Sequence, residues 1–170
     1  MRRHDRTVPG GARSTRWMAA LFVGTSVALG LTSSYVAGVT RRNPWIDDNP
    51  KPRIWPPVWV FPLAWVVNYT CMGLAVWHVW RRRGDTPVGP ALGFFAADAL
   101  HNLAFMPIVY AAKKRSVYVA MDTLGTALTV NATVAFARVS RSAALLMLPV
   151  LSWMVFTTAI KVKWWRMEDA

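Results

Sequence analysis

Residues 51–80 read KPRIWPPVWVFPLAWVVNYTCMGLAVWHVW, and from Pro57 to Trp80 the chain passes 24 residues without a Lys, Arg, Asp or Glu. At about 1.5 Å per residue, a helix of that length crosses the roughly 30 Å hydrocarbon core of a bilayer. The stretch predicts a transmembrane helix over 57–80, opened by Pro56 and Pro57, whose missing amide donors cost nothing at a helix N-terminus. Pro62, Trp65, Tyr69, Met72, Gly73 and Val76 share one face about 100° wide. Packing against other helices accounts for most faces of this kind, and an aromatic belt accounts for Trp59 and Trp80 near the two ends. Trp65 and Tyr69 lie mid-span, where an indole or phenol hydrogen needs a partner; they suggest the wall of a site for a flat, partly polar ligand. Gly73 lets something approach that face closely.

The composition around this span agrees with it. The 170 residues make one domain, with 54% hydrophobic and only 16% charged residues, against about 25% charged in soluble proteins. The net charge of +12 is spread in short clusters between apolar runs. That pattern suits anionic lipid head groups and argues against a nucleic-acid partner, which needs its cations along one folded surface. The single Cys71 excludes an intramolecular disulfide.

Further apolar runs on both sides give an all-α membrane protein, a five-transmembrane-helix bundle with spans at about 17–39, 57–80, 91–112, 116–137 and 142–160. Residues 1–16 form a basic, flexible tail, 17–165 the membrane domain and 166–170 a short C-terminal tail. In the first span Gly30, Ser34 and Gly38 recur every fourth residue, the small-xxx-small pattern of a close helix contact, within the bundle or in a homodimer. Five spans place the termini on opposite sides. The Lys and Arg residues divide ten and ten between the two sides, so charge bias sets no orientation. The 40–56 connection, with Pro44, Trp45, Asp47, Asp48 and Pro50, is long enough to cap a cavity.

Ionisable side chains inside the spans single themselves out, because a membrane helix carries them at a cost. Asp98, His101, Asn102 and Phe105 form one stripe of the third span. They lack a Cys or second in-span His at ligand spacing, so no metal site is expected. In the fourth span Asp122 needs a partner, since no span contains a Lys or Arg. It is neutral, hydrogen-bonded to Thr or Asn side chains, or reached from a helix end by a residue such as Lys161. The fifth span aligns Pro149, Trp153, Phe156, Thr157 and Ile160. Lys161, Lys163, Trp164, Trp165 and Arg166 after it read as an interfacial anchor. The chain carries no nucleophile elbow, phosphate loop or metal cluster.

Lys51-Pro52, Trp55-Pro56-Pro57-x-Trp59, Trp65, Tyr69 and Met72-Gly73 resemble the most distinctive segment of the TspO/MBR family, the translocator or peripheral benzodiazepine receptor proteins. The likeness continues through Asn102-Leu-Ala-Phe-Met-Pro107-Ile, Asp122 and Pro149-Val-Leu-Ser-Trp153-Met-Val-Phe156-Thr, covering about residues 17–165. The resemblance implies a five-helix bundle that binds porphyrins, other tetrapyrroles or sterols in a pocket opening toward the first loop. No tightly bound cofactor is implied, porphyrin or haem being a ligand. Carried over by position, the ligand-binding set is Pro56, Trp59, Phe61, Trp65, Asn102, Phe105, Tyr118, Trp153, Phe156 and Thr157; the reading of the spans adds Tyr69 to it and makes Asp122 a structural polar residue. Trp65 and Trp153 occupy the places linked to light-dependent porphyrin oxidation. The chain departs from the family pattern at Leu103 and Phe105, often Trp, at Val150, often Tyr, and at Lys161, usually Asn. Val162 replaces the Tyr of the sterol motif, which weakens the case for cholesterol. A small transporter or stress-regulatory scaffold acting through protein partners is the second function class. A saturable porphyrin site in the purified protein separates the two.

Overall fold

The computed structural model describes residues 11–36 and 44–167, with side chains at 16–32 and 44–167. Among the described residues every regular element is an α-helix: α1 (Gly11–Val36), α2 (Pro44–Asp47), α3 (Val60–Trp80), α4 (Gly89–Ala112), α5 (Arg115–Val139) and α6 (Arg141–Arg166). Four of them, α3 to α6, are long and apolar enough to cross a membrane, and α1 carries a shorter apolar stretch, Arg16–Thr32. Of the first-span glycines and serine, the side chain of Ser34 and all of Gly38 lie outside the described residues, as do residues 1–10 of the tail.

The predicted spans and the helices coincide except at some ends. α3 begins at Val60, three residues after the expected Pro57, because Pro57 instead accepts the amide of Val60 at 3.0 Å in a turn. Pro62 then falls in the first helical turn, where its missing N–H would have been an orphan in any case. α4 closes on Lys113, whose φ of 49° is the left-handed conformation of a helix cap, with its amide on Val109 O at 3.1 Å. α5 starts two residues later. The α5–α6 turn is Ser140 alone, an extended residue whose Oγ accepts from the Ala143 amide at 3.4 Å. Turns this short force α4, α5 and α6 into antiparallel neighbours. α6 in turn packs on α3, and α1 lies along α3 and touches α4.

What faces outward is apolar: Leu21, Leu63, Val66, Leu100, Val134 and Leu145 are all exposed. What faces inward includes Asn68, Asp98, Asp122, Thr129 and Lys161. Polar atoms inside and aliphatic side chains outside is the arrangement of a protein whose solvent is lipid.

Gly73 makes the α1–α3 contact. A Cβ there would lie 2.6 Å from Val23 Cα and 2.9 Å from Phe22 O, both backbone atoms. Gly73→Ala should therefore destabilise the protein by about 1–3 kcal/mol, since neither helix backbone can yield locally. Gly24→Ala, which meets nothing within 4 Å, should be neutral or slightly stabilising. Thermal unfolding of both variants in detergent, compared with the parent, checks the pair.

Candidate ligand site

Rings from four long helices and the first connection meet on one side of the bundle. Phe156 and Trp153 of α6 pack together with centroids 5.8 Å apart, and Trp153 meets Phe61 of α3 edge-on at 5.7 Å. Phe61 adjoins Trp55 at 6.1 Å, and Trp55 meets Trp164 at 5.4 Å. From Trp164 the series runs to Tyr118 of α5 at 6.1 Å and on to Phe105 of α4 at 5.5 Å. Trp45 of α2 leans on both Tyr118 and Trp164. Edge-to-face contacts of this kind contribute about 0.5–1.5 kcal/mol each beyond area burial.

The 44–59 segment lies over this ring series and is fastened at two points. Trp164 donates from Nε1 to Pro50 O at 2.8 Å, and Arg115 donates from Nη2 to Asn49 Oδ1 at 2.8 Å. Of the 40–56 connection expected to cap a cavity, residues 40–43 lie outside the described residues, and the rest packs on the rings through Trp45 and Trp55.

Beneath the rings, the in-span polar residues form a ladder along the α4–α5–α6 seam. Lys161 pairs with Asp122 through Oδ1, while Thr158 and Thr157 donate to Oδ2 at 2.7 and 3.2 Å. The partner that Asp122 requires is thus both Thr hydroxyls and the helix-end lysine. Deeper, His101 donates from Nε2 to Met121 O at 2.9 Å, the tautomer that a carbonyl partner demands. Its Nδ1 has no hydrogen-bond partner. Gly125 makes room for this ring, since a Cβ there would lie 2.6 Å from His101 Cε1. Deeper still, Thr129 Oγ1 lies 3.1 Å from Asp98 Oδ1 and 2.9 Å from Gly125 O.

Of the sequence-derived set, the structure brings Phe61, Phe105, Tyr118, Trp153 and Phe156 into one ring series. Thr157 serves Asp122 beside it, and Pro56 is half-buried at its edge. Trp59 is 67% exposed and stands outside. Trp65 and Tyr69 form a separate stack, 5.2 Å apart and 27° from parallel. The Tyr69 ring is seated on Gly30 of α1 and borders a small cavity of about 20 Å³ with Ser26, Met72 and Asn102. That volume holds roughly one water molecule. Among the described residues no ring contact joins Trp65 to Trp153; the two indoles belong to neighbouring groups linked through α3. Asn102 turns to the flank of the Asp98 stripe, donating to Asp98 O at 2.8 Å. The Trp153 Nε1 is buried without a hydrogen-bond partner.

The sequence-derived ligand set lacks Trp45, named only in the capping connection, Trp55, named only in the family segment, and Arg115, and it places Trp164 in the interfacial anchor. The expected interfacial anchor divides. Lys163, Trp165 and Arg166 are exposed, while Lys161 and Trp164 are buried and belong to the interior. The signal was present in Met154, Thr157, Lys161 and Trp164, which continue one stripe of α6 past the last apolar run.

Residues 22–166 match the TspO/MBR family. The tryptophan-rich sensory protein of Cereibacter sphaeroides is 32% identical over 154 residues, 88% of this chain and 95% of that protein. The translocator protein of Homo sapiens is 31% identical over 155 residues, covering 88% and 90%. The tryptophan-rich protein TspO of Chlorobaculum tepidum is 28% identical over 154 residues, covering 82% and 88%. Helices long enough to cross a bilayer, with lipid-compatible outer faces, make the protein a multi-pass integral membrane protein. With the family match running from α1 to the end of α6, through both the ring series and the Asp122 ladder, the chain belongs to the TspO/MBR family.

Proposed function

We propose that the protein is a five-span membrane receptor of the sensory or translocator kind, with α1 as the fifth crossing. It takes tetrapyrroles, and less readily sterols, among the rings beneath the 44–59 segment. The observation that carries this reading is the ring series from Phe156 to Phe105, with its buried indole N–H on Trp153 left without a partner. A series of indole and phenyl edges offers a wide apolar surface to a planar macrocycle, and an unpaired buried donor gains a bond when a polar ring atom arrives. The names of the bacterial and mammalian relatives, tryptophan-rich sensory protein and translocator protein, support the sensory or translocator part of this reading.

Titration of the purified protein with protoporphyrin should quench tryptophan fluorescence saturably; a linear, non-saturating response would defeat the reading. The same assay under illumination tests turnover. A lit porphyrin generates reactive oxygen, and the indoles that the family resemblance singles out for oxidation are Trp153, within the ring series, and Trp65, in the neighbouring stack. Trp153→Phe and Trp65→Phe should each weaken binding modestly, by about 0.5–1.5 kcal/mol, and abolish most light-dependent loss of the porphyrin band. Trp17→Phe, on an exposed ring, should change neither. Equal bleaching in the parent, the variants and detergent alone would leave a binding protein without turnover.

A further inference from the structure

At the end of the bundle opposite Trp164, α4 and α5 part to leave a cleft of about 230 Å³. Its mouth is polar and its depth is not. Arg138 and Thr86 line it beside the turns, next to Pro87, and the wall continues along the helices through Pro90, Phe94 and Ala135. Phe94 lies roughly 7 Å into α4, and Ala135 about one turn back along α5 from Arg138. The lining therefore changes from charged to apolar toward the membrane centre. Pro87 and Pro90 fix their own backbone φ, so this wall stands before anything binds.

The charge at this end is unmatched. The turns at 81–88 and 138–141 carry Arg81, Arg82, Arg83, Arg138 and Arg141 against one acid, Asp85. Arg81 lies over the Trp77 ring at 4.7 Å and Arg83 over the Trp80 ring at 4.6 Å. Arg138 is exposed, and among the described residues its guanidinium forms no hydrogen bond or ion pair. We propose that the cleft binds one anionic phospholipid, its phosphodiester on Arg138 and the start of an acyl chain against Phe94, Ala135 and the two prolines. Basic pockets between transmembrane helices select acidic head groups, and a guanidinium fork pairs with phosphate through two hydrogen bonds. A sterol leaves the guanidinium unmatched, and phosphatidylcholine brings a quaternary ammonium in among the arginines. The basic segment 1–16, with five Arg against one Asp, has the wrong sign to occupy it. The site stands apart from the ring series and does not depend on what the rings hold.

Native mass spectrometry of the full chain in an uncharged detergent, with dioleoyl phosphatidylglycerol or dioleoyl phosphatidylcholine added, reads the site directly. One phosphatidylglycerol per chain should bind saturably and at least about tenfold tighter than phosphatidylcholine, the effect of one charge-assisted hydrogen bond. Arg138→Gln should remove most of that preference. Arg141→Gln deletes an equal charge from the same end but lines no part of the cleft, and should keep it. Both side chains are exposed, so both variants should fold. Equal loss in the two variants would mean that the arginines attract acidic lipid diffusely, which overturns the site, as would equal binding of the two lipids by the parent. Glycerol phosphate supplies the phosphate without acyl chains and should not compete at the same concentration. If it displaces the lipid, the cleft serves a free phosphate and the assignment to a phospholipid is wrong.

Discussion

Lys161→Met should lower the unfolding free energy in detergent micelles by about 3–5 kcal/mol, the cost of leaving a buried carboxylate without its counter-charge. Asp122 is 2% exposed, and without Lys161 it keeps only the hydroxyls of Thr157 and Thr158. The reverse change, Asp122→Leu, strands Lys161 beneath Tyr118 and Phe105, and should cost at least about 1 kcal/mol. The double variant Lys161→Met with Asp122→Leu should recover most of either loss, because an apolar pair of similar volume avoids desolvating two ions. Chemical unfolding of the four proteins closes this cycle. An exposed ion pair contributes only about 0–1 kcal/mol, so a Lys161→Met variant as stable as the parent would mean that water reaches Asp122.

The helices were legible in the sequence because lipid imposes a simple demand: a long apolar run with its backbone bonds satisfied internally. Prediction and structure agree on the bodies of all the runs from 57 onward and differ where local chemistry competes. At Pro56-Pro57 the turn through Val60 wins over an earlier helix start, and at Lys161 the helix continues to Arg166 although the charge suggested an end. Trp164 was read as part of an interfacial anchor, and Lys161 both as part of it and as one possible partner of Asp122, because a lysine beside an aromatic after an apolar run usually sits at the interface. Their burial depends on Asp122, 39 residues earlier, and on Pro50, 114 residues earlier. The Lys161–Asp122 pairing was one of the alternatives that the uncharged spans left for Asp122, whereas the Trp164–Pro50 pairing leaves no local trace. Within the candidate site, the in-span aromatics were found because a ring in mid-membrane needs a reason. Trp45 and Trp55 entered only as parts of the connection and of the family segment, because a connecting segment reveals which residues fold back only once the bundle beneath it exists.

Trp164→Ala should have the largest effect on the site itself, lowering stability by about 3–5 kcal/mol, as removal of a fully buried large aromatic does. The ring is 0% exposed and lies against Trp45, Trp55, Tyr118 and the Arg115 guanidinium. Its indole N–H also supplies one of the two fastenings of the 44–59 segment, through Pro50 O. The loss should therefore be uneven. Amide hydrogen exchange read by mass spectrometry should speed up across 44–59 while the α5–α6 hairpin, joined through Ser140 and the Asp122 ladder, keeps most of its protection. Trp164→Phe keeps a ring but loses the donor, and should cost about 1 kcal/mol with a smaller rise in exchange over the same segment. Trp165→Ala, one residue further and 39% exposed, should leave both measurements near the parent's. Uniform acceleration across all helices would show that Trp164 supports the bundle as a whole. Unchanged exchange at 44–59 would show that Arg115 and Asn49 hold the segment alone, in which case the opening through which a ligand reaches the rings must lie elsewhere than along Pro50.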